Sequence, residues 1–219
     1  LNGTGTPKDL QKAQMYLEKA AELGNADAKY GLGKLHLEVD PEVYDLEKAS
    51  QYLLEAAEAG HSYAQFKLGK LMVEGMVASE DPQEGIRWLR KSAEQDNPHA
   101  QYYLGKLYHY GDAVEANQTY AVSLLQRAIE QGNLPAAYLL GKAYWDGTRI
   151  GQDKDKAIEL LEKAAERNFD PAQYALAKIY LEGTVSTADI EKAIELISAE
   201  EDPPLRQLVD TVNAAKYRK

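Results

Sequence analysis

The chain has 219 residues, a net charge of −10 and no cysteine. That length can bury a sizeable core, while the acidic balance opposes binding to nucleic-acid phosphates and anionic membranes, where Lys and Arg supply the affinity. Without cysteine there is no disulfide framework, thiolate zinc site or thiol nucleophile, and no apolar run approaches the ~18 residues that a membrane span needs.

Two kinds of segment alternate along the chain. The first kind begins with Lys12-Ala13 and runs to Ala20-Ala21-Glu22. It returns as Lys48-Ala49 to Glu58, Glu84-Gly85 to Glu94, Tyr120-Ala121 to Glu130 and Lys156-Ala157 to Glu166, and a decaying copy starts at Lys192-Ala193. Ala13, Tyr16, Leu17 and Ala20 stand at i, i+3, i+4 and i+7, the spacing of one helix face. The second kind carries Leu32-Gly33-Lys34-Leu35, repeated around Lys70, Lys106, Lys142 and Lys178, so the step is 36 residues without slippage. Ala28, Leu32 and Leu35 again form one helical stripe. A fixed period of this size is the signature of a stacked repeat array.

The pattern predicts helices over about 8–23, 26–38, 45–59, 62–74, 82–95, 98–110, 118–131, 134–146, 154–167, 170–182 and 188–199, with a terminal helix over about 204–216 and no strand. Capping-box-like openings stand at Thr6-Pro7-Lys8-Asp9 and Asp81-Pro82-Gln83-Glu84. Asn97-Pro98 and Asp170-Pro171 each place a capping side chain before a proline. Gly75, Gly111, Gly147 and Gly183 close the second kind of helix, and Gly24, Gly60 and Gly132 the first, where Asp96 and Asn168 replace glycine in the remaining copies. Val39, followed by Asp40-Pro41, breaks the glycine series, so its turn is built differently. Gly33, Gly69, Gly105 and Gly141 lie inside helices, where glycine costs roughly 0.5–1 kcal/mol relative to alanine. They predict close approach of a neighbouring helix backbone, with the Ala pairs as the complementary surface.

These residues, with Trp88-Leu89 and Tyr144-Trp145-Asp146-Gly147, resemble the Sel1-like repeat, a relative of the tetratricopeptide repeat. The resemblance covers residues 1–199. It implies an all-α, right-handed α-solenoid of antiparallel helix pairs that serves as a protein-interaction scaffold, with no catalytic residues and no cofactor. One array is expected over 1–219. Leu1-Asn2-Gly3-Thr4 aligns with Leu181-Glu182-Gly183-Thr184, so the chain reads as beginning inside a repeat and as a fragment of a longer protein. Residues 204–217, after Pro203, read as a degenerate capping helix in which Leu208, Val212 and Ala215 keep the apolar phase.

Nothing in the sequence points to a reaction. His36, His61, His99 and His109 make no metal-ligand spacing, and the glycines form no phosphate loop. The sequons Asn2-Gly3-Thr4 and Asn117-Gln118-Thr119 matter only in a secretory parent. A second stripe of the glycine-bearing helices is expected to line the concave groove. It forms four columns: Tyr30, Phe66, Tyr102, Tyr138, Tyr174; the five lysines; Leu37, Val73, His109, Trp145, Leu181; and Glu38, Glu74, Tyr110, Asp146, Glu182. The uniform columns read as architecture, and each Lys–acid pair as a weak i,i+4 interaction. The varied columns are the functional candidates, and Lys106 faces Tyr110 where other copies have an acid. The expected partner-binding groove is therefore Tyr102, Lys106, His109, Tyr110, Lys142 and Trp145, suited to a peptide bearing a carboxylate and an apolar side chain; packing of Trp145 under a loop is the other reading. The expected partner is a protein or peptide, with no nucleic acid and no membrane insertion, bound by a monomer. The alternative is a regulatory or spacer module of a larger protein such as a relaxase-type enzyme.

Overall fold

The computed structural model describes residues 10–39, 44–79, 81, 83–181, 207 and 210. The described residues form helices and connecting turns, an all-α repeat solenoid with no strand among them. The order is α1 (Leu10–Glu22), α2 (Ala26–Lys34), α3 (Leu46–Glu58), α4 (Ser62–Val73), α5 (Glu84–Glu94), α6 (Pro98–Tyr110), α7 (Gln118–Glu130), α8 (Leu134–Asp146), α9 (Lys154–Ala165) and α10 (Asp170–Leu181). The helices expected over 188–199 and 204–216, the Thr6 opening and Gly183 lie outside the described residues. The chain divides into two compact units, Leu1–Leu104 and Gly105–Lys219, with α6 contributing to both.

Most helix starts follow from one polar side chain; Gln83, before α5, makes no such bond. Asn25, Asn97 and Asn133 accept from the backbone N–H groups of Ala28, Ala100 and Ala136 at 2.8, 3.2 and 2.9 Å. In phase with them, His61 Nδ1 accepts from Ala64 N–H at 3.1 Å, and its Nε2 lies 3.1 Å from Asp27 Oδ1. Such caps are worth about 0.5–2 kcal/mol each. The same register puts Phe169 at the cap of α10, so Asp170 is not the capping residue expected from the Asp-Pro pair. It sits in the first turn instead, where its charge favours the positive end of the helix dipole. Asp45, Asn117 and Asp153 cap α3, α7 and α9.

Helix ends use the left-handed backbone region, with Gly60 at φ +90°, Gly132 at +80° and Gly147 at +63°. Asp96 and Asn168 take φ of +58° and +57° in the same role. Short polar side chains tolerate that region better than most. Where Val39 replaces glycine, α2 widens into a π-helical segment, Leu35–Val39. His36 is buried there against Tyr52, with ring centroids 6.1 Å apart and nearly parallel.

The interior glycines sit at helix crossings. A Cβ on Gly33 would lie 2.8 Å from Leu53 Cγ; one on Gly105, 2.9 Å from Leu125 Cγ; one on Gly141, 2.9 Å from Leu161 Cγ. The surface facing the glycines is thus a leucine and the backbone of the following helix, and not the Ala pairs. Those pairs pack elsewhere: Ala56 and Ala57 join Ala64 and Leu68 in one core cluster, and Ala164 and Ala165 join Ala172 and Leu176 in another. The α4–α5 crossing is the tightest. A Cβ on Gly69 would lie 2.7 Å from the Gly85 carbonyl oxygen, and one on Gly85 would lie 2.8 Å from the Gly69 carbonyl oxygen.

Gly69→Ala must therefore push one backbone from another, while Gly105→Ala displaces mainly the Leu125 side chain. We expect Gly69→Ala to destabilise by about 1–3 kcal/mol, the range of overpacking, and Gly105→Ala by less, since its added helix propensity offsets part of the strain. Urea midpoints that fall equally in both variants would contradict this ordering.

Candidate partner-binding cleft

In the second unit, α8 and α10 lie side by side over α9. The apolar stripe of α8, Ala136, Leu140 and Ala143, is buried. The opposite stripe, Tyr138, Lys142, Trp145 and Asp146, is therefore turned out at helical spacing. It meets Tyr174, Ala175, Lys178 and Ile179 of α10 across a cleft of about 300 Å³, with Leu161 of α9 among its walls. Tyr138, Trp145 and Tyr174 provide ring surface; Lys142, Lys178 and Asp146 provide two ammonium groups and a carboxylate. Such a mixture suits a ligand that is apolar in body and carries a polar end.

The rings are held in place. Lys142 Nζ lies 5.9 Å from the Tyr138 centroid, and Lys154 Nζ lies 4.9 Å from that of Trp145, both cation–π distances. Gln152 Nε2 donates to the Trp145 carbonyl at 2.8 Å. Tyr138 meets Phe169 edge to face at 6.0 Å. Trp145 thus has the connecting loop at its backbone and the cleft at its side chain.

The other expected site residues are placed differently. Tyr102 is half-buried and belongs to the first unit; Lys106 is exposed. His109 is buried. Its Nδ1–H donates to Gln118 Oε1 at 2.9 Å, and Gln118 Nε2 donates back to the His109 carbonyl at 2.9 Å. Arg149 Nη1 donates to the carbonyls of His109 and Tyr110 at 3.1 and 3.4 Å, with its guanidinium 5.5 Å from the Tyr110 centroid. Gly111 N–H donates to Leu107 and Asn117 N–H to Tyr108. Every one of the last four carbonyls of α6 is accounted for, the requirement of a helix end. The structure brings Lys142 and Trp145 together in the cleft, and His109 and Tyr110 in this clasp.

Tyr138, Asp146, Tyr174 and Lys178 stand in the groove columns of the sequence, but Ala175 does not. A signal for it existed: the column Gly31, Lys67, Tyr103, Leu139, Ala175 becomes small where α10 faces α8. A second signal lies nine residues after the third column. Gln118 follows His109 and Lys154 follows Trp145, so part of the variation in that column is matched by a packing partner.

Burial holds the His109 imidazole below its ordinary value of 6.5; the hydrogen bond it donates to Gln118 opposes the shift and the Arg149 charge adds to it. The unfolded chain then takes up this proton at a higher pH than the folded one. Its contribution to stability is complete above pH 6.5 and is lost as pH falls below it. The carboxyl groups of Asp45, Asp81 and Asp153 are held below 3.8, chiefly by the Lys48 N–H, the Arg87 guanidinium and the Lys156 ammonium respectively, and act only in stronger acid. Between pH 7 and pH 5 the urea midpoint of the wild type should fall further than that of His109→Gln. Parallel profiles would contradict the burial of a neutral imidazole.

The Sel1 repeat family model matches residues 1–25, 26–61, 62–97, 98–133, 134–169 and 170–198. No curated protein matches the chain. Among solved structures, a Sel1 repeat protein from Oxalobacter formigenes is 30% identical, with a TM-score of 0.80 over 95% of this chain and 62% of its own. The protective antigen c5321 of uropathogenic Escherichia coli, with an SLR fold, is 27% identical, with a TM-score of 0.74 over 88% of this chain and 40% of its own. The chain therefore spans about 62% and 40% of these relatives. The immunity protein Pa5087 of Pseudomonas aeruginosa, 21% identical over 98% of this chain and 78% of its own at a TM-score of 0.58, shares the fold. With its repeats matched from residue 1 to 198, the chain belongs to the Sel1 repeat family.

Proposed function

We propose that the chain is a non-catalytic interaction scaffold that holds a protein or peptide partner at the cleft between α8 and α10. Sel1 repeat proteins act as protein-interaction scaffolds, and among the described residues no helix is long and apolar enough to cross a membrane. The observation that carries the reading is the convergence of Lys142, Trp145 and Asp146 with Tyr174 and Lys178 on one cleft. Aromatic rings with adjacent charges are the residue types that anchor interfaces. The net charge of −10 favours encounter with basic partners, while the two cleft lysines favour an acceptor group at the point of docking. Lys106 and Tyr110 of the same unit extend the proposed surface along α6, where the Tyr110 ring meets that of the buried His109 at 4.8 Å. A spacer role in a relaxase-type enzyme draws no support from the relatives named above.

A random peptide library displayed on phage and panned against the full chain tests this. Peptides selected on the wild type should bind Lys142→Ala/Trp145→Ala more weakly by over ~2 kcal/mol, the loss of an anchor. They should bind the outer-face control Gln126→Ala/Glu159→Ala normally, with all helical CD spectra alike. Equal loss in the control, or wild-type binding by the cleft variant, would place the interface elsewhere.

A further inference from the structure

The first unit contains a filled counterpart of the cleft. Between α4 and α6, the Tyr103 ring meets Phe66 edge to face at 6.4 Å and lies 5.9 Å from Lys70 Nζ. Its hydroxyl donates to Glu74 Oε1 at 3.2 Å, and Lys70 completes the set with an ion pair to Glu74 at 3.7 Å. His99 flanks the same gap from one turn earlier on α6, stacking on Phe66 at 5.7 Å.

Two periods later the receiving side is present again. Tyr138 stands for Phe66, Lys142 for Lys70 and Asp146 for Glu74. The filling side chain is gone: Ala175 stands where Tyr103 stands, and Pro171 where His99 stands. Ala175 and the three receiving residues all line the cleft. The cleft is thus open where the earlier copy is plugged by a phenol. Trp145 in place of Val73 adds an aromatic wall.

Resting on the reading of this cleft as the partner site, we infer that it receives a tyrosine side chain of the partner. The ring takes the place that Tyr103 occupies in the first unit, beside Tyr138 and under the Lys142 ammonium. The phenol O–H donates to Asp146. Asp146 is one methylene shorter than Glu74, so the incoming ring sits deeper, towards Leu161. Phenylalanine fills the same volume but leaves the carboxylate without its donor, and the phenol oxygen can still accept from a cleft lysine.

The test uses the full chain, labelled with ¹⁵N, and two probes, N-acetyl-tyrosinamide and N-acetyl-phenylalaninamide. Trp145 and Trp88 are the two tryptophans of the chain, so each indole N–H reports one place. N-acetyl-tyrosinamide should shift the Trp145 signal saturably and leave Trp88 unmoved. The phenylalanine probe should bind about tenfold more weakly, the scale of one hydrogen bond to a charged acceptor. Ala175→Tyr should abolish the response by filling the cleft from within. Ala175→Leu, which introduces the side chain that Leu139 carries one period earlier, should do the same and serves if the tyrosine variant fails to fold. Equal response to both probes, or a response that survives in the filled variants, would overturn the inference. Displayed peptides that need Trp145 yet still bind Ala175→Tyr would overturn the tyrosine and leave the cleft reading standing. Peptides indifferent to both changes would overturn both.

Discussion

The close contact between a glycine in one helix and a leucine in the next is the constraint on which the rest depends. Gly33 on Leu53, Gly69 on Leu89, Gly105 on Leu125 and Gly141 on Leu161 leave no room for a Cβ without movement of the neighbour. A helix held against its partner at that point cannot rotate about its own axis without driving a side chain into it. Its apolar stripe is then committed to the core, and the opposite stripe is turned out, as Tyr138, Lys142, Trp145 and Asp146 are on α8. That geometric consequence produces the columns of Tyr, Lys and acid. The helix-propensity cost of four glycines, about 0.5–1 kcal/mol each, is offset by burial of the facing leucines, each worth about 1.5–3 kcal/mol.

Once the outward stripe is fixed, small substitutions decide whether its surface is flat or hollow. In the first unit, the rings of Tyr63, His99, Phe66 and Tyr103 meet from helix to helix, stacked, tilted or edge-on, and fill the gap between α4 and α6. In the second, alanine and proline occupy two of those positions and the gap between α8 and α10 stays open. No change of backbone architecture is needed to make a site in an array of this kind. Removal of side chains from a surface that the repeats already align is sufficient. Trp145 and the two lysines then give the hollow its chemical character.

Much of the fold was legible because its signals are local and repeated. Helix periodicity, cap residues and terminating glycines placed α1–α10 within a few residues of their observed bounds. The failures came from contacts that the period does not reveal. The Ala pairs are small and repeat with the same 36-residue period as the glycines, yet it is Leu53, Leu89, Leu125 and Leu161 that reach the glycines in space. Asp170 has a capping side chain, but the register assigns the cap to Phe169. At the site, Lys142 and Trp145 were visible as members of columns. The cleft itself was not, because it depends on the small Ala175, whose column lies outside the groove stripe. His109 stood out for its place in a varied column; its clasp with Gln118, nine residues on, and Arg149, forty residues on, becomes evident only when the chain is folded back.

The central claim is that partners are held by the outward stripe of α8 and α10. The most direct measurement is a map of backbone and side-chain NMR shifts in the full chain on addition of a peptide selected by its binding. The account predicts that the largest changes fall on Tyr138, Lys142, Trp145, Asp146, Tyr174 and Lys178. Changes concentrated instead on the exposed faces of α7 and α9, at Gln126, Glu159 and Lys163, with the cleft unmoved, would contradict it.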